Sequence, residues 1–334
     1  MTRFYLILFK AVLLSMLVTA NGYAQSTSRN QQMSTNTWRT DCFGRFQIAL
    51  PPEAKIGADY HIWGNNIERS WKSVASIKQE FDKREQELKA QRHNSGGQMF
   101  VDRAFYGNGS ESMLSWKRPT SSILMGRISY LVSSDGKVIY KYESEVAPEK
   151  RSSSDDYMKY LAKNIRSRQP YAIPTEPGFC LNGGYIAGND FRSERFDLGI
   201  TLPDHPGAHI SFYSSTGAEE DTLLERTGGF FRNHVMGPVA GLHTLRKGKR
   251  NLGPIPGEEY LIVSNAKGQR LYAFKWESQG KNNSLAEPNL SLELNVMGED
   301  DDDTPPPKAF KSDEEALQLW DALLNSIRLR PGAV

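Results

Sequence analysis

The chain has 334 residues, with 41 basic and 39 acidic side chains and 38% hydrophobic residues. This near balance of charge argues against nucleic acid as a partner, because binding to phosphates needs a clustered positive excess. The length is sufficient for two domains that each bury a hydrophobic core.

The N-terminus has the pattern of an export signal. Arg3 and Lys10 flank an apolar stretch, and the small residues that follow favour cleavage after Ala24, with Ala20 as the alternative. The apolar stretch is shorter than the roughly 20 residues of a membrane span. We therefore expect a periplasmic protein with no stable membrane insertion after cleavage. Cleavage would remove two basic residues and leave 39 of each sign, a net charge of zero.

Two modules are predicted, at residues 37–170 and 171–334, after a polar leader at 25–36 that is expected to be disordered. Alternating apolar residues predict five strands in each module. In the first module these are 46–51, 99–105, 112–116, 123–132 and 137–146. In the second they are 196–202, 209–213, 259–265, 270–277 and 290–296. Grouped strands with segregated helices favour an α+β fold, and the three prolines of residues 169–178 predict a stiff linker between the modules.

Three helices accompany these strands. Apolar residues at helical spacing from Ile67 through Trp71 to Phe81 predict the first helix. The second, from Asp155 to Arg168, and the third, from Ser312 to Ile327, both start at a Ser-Asp pair, whose short side chains can cap free backbone N–H groups.

The two later helices end in nearly the same way. The first ending reads Asn164-Ile165-Arg166 and the second reads Ser326-Ile327-Arg328. This repeat predicts two structurally similar modules, each a mainly antiparallel sheet with helices and a closing C-terminal helix. We interpret the arginines as positive charges that stabilise the helix C-termini.

The chain has two cysteines, Cys42 and Cys180. An even count in an exported protein suggests a disulfide, and a bond that closes a loop of about 140 residues would stabilise the fold by about 4–5 kcal/mol. Two buried free thiols are the alternative.

The sequence contains none of the common catalytic or cofactor motifs. The nucleophile elbow, the phosphate-binding loop and the dinucleotide fingerprint are all missing. His205 and His209 are separated by Pro206-Gly207, which excludes the helical spacing of a zinc site. We therefore predict no catalytic residue, no metal and no cofactor. The acidic run Glu299–Asp303 lacks the spacing of a calcium loop, so a solvated loop, a cation site and a contact with a basic partner stay open.

Several short segments of the second half occur in an order that resembles a known family. They are Gly178–Ile186, Leu245–Gly248, Pro256–Glu259, Phe274–Glu277, Leu319–Asp321 and Ser326–Pro331. Together they resemble the C-terminal domain of the cognate immunity proteins of type VI secretion lipase effectors, the Tle4-type immunity proteins. Cys42–Pro51 is similar to the start of that family's N-terminal domain.

The resemblance implies a two-domain periplasmic protein without catalysis that binds a phospholipase effector and inhibits it. We hypothesise that the two modules clamp the lid or the entrance of the lipase. Loops on a rigid scaffold usually form such surfaces, so we expect the partner at 228–243 and 299–307. The candidate contact residues are Arg232, His234, His243, Asp300, Asp301, Asp302 and Asp303. The alternatives are an exported enzyme that uses carboxylates such as Glu258, Glu259 and Glu277, or a structural envelope protein without a toxin partner.

Overall fold

The structure, a computed structural model, describes residues 33–226, 242–266, 268–297 and 308–334. Up to the middle of the chain the strands are β1 (Arg39–Phe43), β2 (Phe46–Leu50), β3 (Lys55–Ile62), β4 (Asn65–Ser70), β5 (Phe100–Phe105), β6 (Glu111–Trp116), β7 (Met125–Val132), β8 (Ile139–Val146) and β9 (Ile165–Ser167). The later strands are β10 (Gly178–Leu181), β11 (Gly184–Ala187), β12 (Glu194–Thr201), β13 (Ala208–Ser215), β14 (His243–Lys249), β15 (Glu258–Ala266), β16 (Gln269–Ser278), β17 (Asn289–Val296) and β18 (Arg328–Leu329). The α-helices of these residues are α1 (Val74–Ala90), α2 (Arg151–Asn164) and α3 (Asp313–Ser326).

The ten predicted strands are all present, and their ends agree with the prediction to within two residues. Antiparallel sheets with few helices confirm the α+β class. The strands that the pattern did not indicate are short or open to solvent on one face. The clearest case is β3, where Ile56, Ala58, Tyr60 and Ile62 do alternate with polar residues or glycine, but only Tyr60 and Ile62 are buried.

The predicted first helix begins too early. Ile67 belongs to β4, which pairs with β8, and Trp71 lies in the following loop with 80% of its surface exposed. The helix starts at Val74 because the Ser73 side chain accepts a hydrogen bond from the Ser76 N–H at 3.1 Å and so caps it.

The second helix also differs from the prediction at both ends. It starts at Arg151, after a 3-10 turn at Pro148–Lys150, and no Ser154 cap forms. It ends at Asn164 because Ile165 is extended and enters β9. The third helix has the predicted cap, since the Ser312 hydroxyl accepts from the Glu315 N–H at 3.2 Å.

Twelve strands form one antiparallel sheet that runs through both predicted modules. Their order is β14-β15-β16-β17-β13-β12-β3-β4-β8-β7-β6-β5. β3 pairs with β12 along its whole length but with β4 at only two positions, His61–Asn66 and Ile62–Asn65. We call these two pairs the joint, because they alone connect seven strands on one side to five on the other.

One face of the larger half of the sheet is buried and the other is open. Along β12 buried residues alternate with exposed or half-buried ones, and Phe196, Leu198 and Ile200 enter the core. α3 covers this face, with Trp320 and Leu323 at or below 1% exposure. On β12 and β13 the other face carries mostly polar side chains and a glycine, as expected for an antiparallel sheet with one solvated face. On β15 and β16 the same face holds the small buried cluster of Ile262 and Ala273.

Two small three-stranded sheets explain the repeated helix endings. After α2, β9 pairs with the β10–β11 hairpin, which opens the second half of the chain. After α3, β18 pairs with the β1–β2 hairpin, which opens the first half. Each closing strand therefore completes the sheet of the opposite half, so we call the arrangement the reciprocal pairing.

A covalent bond and a backbone bridge join the two small sheets. Cys42 on β1 and Cys180 on β10 form a disulfide between residues 138 apart, and both are fully buried. Beside them Gly44 and Cys180 exchange backbone hydrogen bonds at 3.0 and 2.7 Å. Only glycine fits there, because Gly44 has a φ of +56° and a Cβ would lie 2.4 Å from the Phe196 ring.

Two equivalent arginines, two residues beyond each helix ending, lock the reciprocal pairing. Arg330 donates to the carbonyls of Pro174, Glu176 and Gly178 at 2.6–2.8 Å, which ties the predicted linker to the C-terminus. Arg168, which follows β9, donates to the carboxylate of Asp41 on β1 at 2.5 Å and so ties the two small sheets together. Burial lowers the pKa of Arg330 to about 10, with the charge of Arg45 acting in the same direction, and the side chain stays charged at neutral pH.

Of the two repeated arginines, Arg166 caps its helix as predicted and Arg328 does not. Arg166 donates to the last-turn carbonyl of Lys163 at 2.6 Å. Arg328 instead lies on β18, opposite Gln47 of β2, because the chain is already extended at Ile327.

A buried ion cluster connects the β1–β2 hairpin to the large sheet. Glu194, 3% exposed, accepts from Arg45 at 2.7 Å and from Arg192 at 2.6 Å. Arg45 also donates to the carbonyl of Ala333, so the cluster holds both ends of the described chain.

We predict that the double change Cys42→Ala and Cys180→Ala lowers the free energy of unfolding by about 3–5 kcal/mol, because the bond closes a long loop in the unfolded chain. Urea denaturation measures this loss. A reducing agent should lower the midpoint of the parent protein and leave that of the variant unchanged; equal midpoints for the parent with and without reductant would contradict the prediction.

Glu194→Gln should destabilise the fold by about 3–5 kcal/mol, because it leaves two buried arginines without a carboxylate. The matched control is Asp197→Asn on the same strand, which breaks an exposed pair with Arg195 and should cost less than about 1 kcal/mol. Thermal unfolding of both variants checks the difference, and similar losses would refute the role given to Glu194.

Candidate partner-binding surface

The predicted contact residues fall mostly outside the described residues. Arg232 and His234 belong to 227–241, and Asp300, Asp301, Asp302 and Asp303 belong to 298–307. His243 is described; it is the first residue of the edge strand β14 and is exposed.

The described residues that follow 227–241 and precede 298–307 lie at the same end of the large sheet, whereas Arg226, before the first segment, pairs with Glu277 towards the other end. Register places His243 opposite Val263, Val263 opposite Tyr272, and Tyr272 opposite Val296. Leu242 and Met297, which flank this row, are 52% and 51% exposed. The structure thus brings one attachment point of each predicted loop to the same end of the sheet.

An ion pair at this end connects the sheet to the start of α3. Asp313 accepts from Arg270 at 2.6 Å and from the Tyr272 hydroxyl at 3.0 Å. These hydrogen bonds, the one from Arg270 first, hold the pKa of Asp313 below its ordinary value, while partial burial opposes them.

A tight turn at Trp63-Gly64 closes the joint between the two halves of the sheet. Both residues have positive φ, +49° and +77°, as a type I′ hairpin turn requires. A bulky residue is strained in this conformation. Two ring contacts offset the backbone strain at Trp63: it stacks on Tyr157, at 4.2 Å between ring centroids, and makes an edge contact with Tyr160. The Tyr157 ring, 43% exposed, extends this aromatic surface to solvent.

The carboxylates proposed for the enzyme alternative have structural partners. Glu259, 4% exposed, accepts from Arg250 at 2.9 Å and from the Trp320 indole N–H at 3.2 Å. Arg250 also pairs with Asp321 at 2.6 Å, which anchors α3 to the sheet. A carboxylate engaged in this way is a fold determinant rather than a catalytic base.

The other two carboxylates are engaged as well. Glu277 pairs with Arg226 and, at 3.2 Å, with Lys275. Burial raises its pKa, and the two cations oppose the shift. Glu258 accepts from the Leu224 backbone N–H at 2.8 Å.

The described residues contain no group of three metal-ligating side chains. His205, one of the pair considered from the sequence, bonds to the Ala309 carbonyl at 2.9 Å and packs against Phe310. Within the same part of the chain, no helix is long and apolar enough to cross a membrane.

The short segments that carry the family resemblance are packing positions. A Cβ at Gly257 would lie 2.4 Å from the Trp276 ring, and Trp276 donates its indole N–H to the Arg250 carbonyl at 2.7 Å. Gly184 lies on β11, which pairs with β9, and a Cβ at Gly184 would lie 2.5 Å from the carbonyl oxygen of Arg166 on β9. Close approach of backbone and rings therefore explains both glycines.

The fold and the surface define an α+β binding protein whose described polar clusters serve packing. Family profiles divide it in two: residues 39–157 match the N-terminal domain of Tle cognate immunity protein 4, and residues 172–332 match its C-terminal domain. The chain belongs to this family of immunity proteins and is not an enzyme.

Solved structures agree with the family profiles. The apo immunity protein TplEi of the type VI secretion system of Pseudomonas aeruginosa is 46% identical, with a TM-score of 0.83 over 89% of this chain and 99% of that chain. A chain of the Tle4-Tli4 complex is 46% identical, with a TM-score of 0.85 over 90% of this chain and 99% of its own. TplEi bound to the "L" peptide is 44% identical, with a TM-score of 0.79 over 89% and 100%. Comparison with curated proteins finds no match.

Asp313→Asn should reduce the acid sensitivity of the fold. The folded pKa of Asp313 is depressed, so its contribution is complete above the unfolded value of 3.8 and is lost as pH falls through the lower folded value. Urea unfolding at pH 7 and at pH 3 measures this difference. The exposed neighbour Glu314→Gln is the control, and an unchanged pH dependence in Asp313→Asn would contradict the assignment.

Proposed function

We propose that this chain is a periplasmic immunity protein, exported with cleavage after Ala24, that binds a type VI phospholipase effector and inhibits it. The observation that carries the proposal is the similarity, over 90% of this chain, to a protein of the Tle4-Tli4 complex. The export pattern of the N-terminus supports the location.

Inhibition works by steric cover. The modules at 37–170 and 171–334 act as two arms that hold the lid or the entrance of the lipase, so that lipid does not reach the nucleophile. The large sheet connects the two arms, because β3 of the first module pairs with β12 of the second from Lys55 to Ile62. The end of the sheet at His243, Leu242 and Met297 supplies a second contact, where each predicted loop has one attachment point.

Titration of the purified protein into a type VI phospholipase effector of the Tle4 type tests the proposal. Activity on a fluorescent phospholipid should fall in proportion to the added protein and vanish at one equivalent, since cover of the entrance needs one tightly bound copy. An unrelated phospholipase is the specificity control. A lipase that stays fully active at stoichiometric excess would overturn the immunity function.

A further inference from the structure

Part of the large sheet has an unpaired strand edge in its middle. β3 pairs with β12 from Lys55 to Ile62, but β4 covers only His61 and Ile62. Among the described residues, no other backbone or side-chain group bonds to the backbone of Lys55–Tyr60 on that side. We call this segment the β3 edge.

The register shows which groups the β3 edge presents. Ile62 and Asn65 flank a two-residue turn and form the hydrogen-bonded pair of the hairpin, so the backbone N–H and C=O of Ile62 point towards β4. The alternation of antiparallel strands then points the N–H and C=O of Ile56, Ala58 and Tyr60 to the same side. Ile56 is 42% exposed and Ala58 is half-buried, so the first part of the edge is accessible.

The open face beside this edge has one pair of positions without side chains. Gly57 on β3 lies directly opposite Gly199 on β12, and we call this pair the glycine step. Neither has a positive φ, and a Cβ on either would meet nothing within 4 Å. Glycine weakens a strand interior, and no internal contact explains two of them here. Such positions mark the close approach of another chain.

The charges beside the glycine step are also unbalanced. Asp59 lies directly opposite Asp197, and like charges across a strand pair are destabilising. Arg195 pairs with Asp197 at 2.8 Å and also lies within electrostatic range of the exposed Asp59, so two carboxylates share one arginine; within the described residues Asp59 has no ion pair of its own. A cationic side chain from outside would complete the set.

We propose that the β3 edge and the glycine step form a docking surface for an extended segment of the lipase effector that carries a lysine or arginine; the partner's identity rests on the proposed function. The segment adds to β3 as a new strand and takes up the free groups of Ile56 and Ala58. Its basic side chain reaches Asp59 and lies across the glycine step, where no side chain obstructs it. Main-chain pairing of this kind supplies affinity, and the side chains supply specificity.

The first test fills the glycine step. Gly199→Val favours the strand conformation and its Cβ meets no atom within 4 Å, so the unfolding midpoint of the free protein should stay the same or rise, while the dissociation constant for the lipase rises at least tenfold. The matched control is Gly126→Val near the start of β7, where the φ is also not positive and an added Cβ would contact only the flexible Lys117 side chain, at 3.6 Å; this variant should bind as the parent does. Calorimetric titration measures both.

The second test separates backbone pairing from side-chain contact. Ile56→Pro removes an N–H that points away from β12 and should weaken binding at least tenfold, because proline on an edge strand blocks a further strand. Ile56→Ala keeps the N–H, so its loss of affinity should be severalfold smaller than that of Ile56→Pro. Asp59→Lys relieves the repulsion with Asp197, so it should raise the unfolding midpoint and still weaken binding at least tenfold.

The outcomes are distinguishable from a failure of the proposed function. Parent protein that does not bind the lipase overturns the function itself. If the parent binds and inhibits while Gly199→Val, Ile56→Pro and Asp59→Lys all bind as tightly as the parent, the docking surface is wrong and the function stands.

Discussion

The reciprocal pairing is the constraint on which the rest of the structure depends. Each half of the chain begins with a hairpin that its own strands do not complete, and each ends with a short strand that completes the opposite hairpin. The Cys42–Cys180 bond joins the two small sheets where they meet. Removal of one closing strand would therefore leave an unpaired edge in one half and a loosened helix in the other.

This constraint leaves the large sheet free to carry the function. The small sheets, the buried arginines and the Glu194 cluster hold the two ends of the chain against the core. The open face, the β3 edge and the end of the sheet at His243 are exposed by comparison. A binding protein benefits from such a division, because a rigid scaffold holds recognition surfaces at little entropic cost.

Local patterns predicted the long strands well and the connections poorly. Strands such as β7 and β16 are apolar enough to be recognised alone, and the Ser312 cap marked α3 correctly. The prediction that Ser154 caps α2 was wrong, because a 3-10 turn that begins at Pro148 leads into the helix about one turn earlier.

The candidate surface was harder to predict because its signals are non-local. Gly57 and Gly199 are unremarkable until register places them opposite each other. Trp63-Gly64 occupies a turn that Asn-Gly usually fills, so its sequence gave no turn signal. The repeated Ile-Arg endings were visible in the sequence, yet their pairing across the two halves depends on tertiary contacts that no local pattern contains.

Hydrogen–deuterium exchange of the protein, alone and with its lipase effector, tests the central claim most directly. In the sample with the lipase we expect new protection from exchange in Lys55–Ala58, on the β3 edge, together with loss of lipase activity. The small sheets, including Cys42 and Cys180, should exchange equally slowly in both states. Unchanged exchange along the whole large sheet in a sample whose lipase remains active would contradict it.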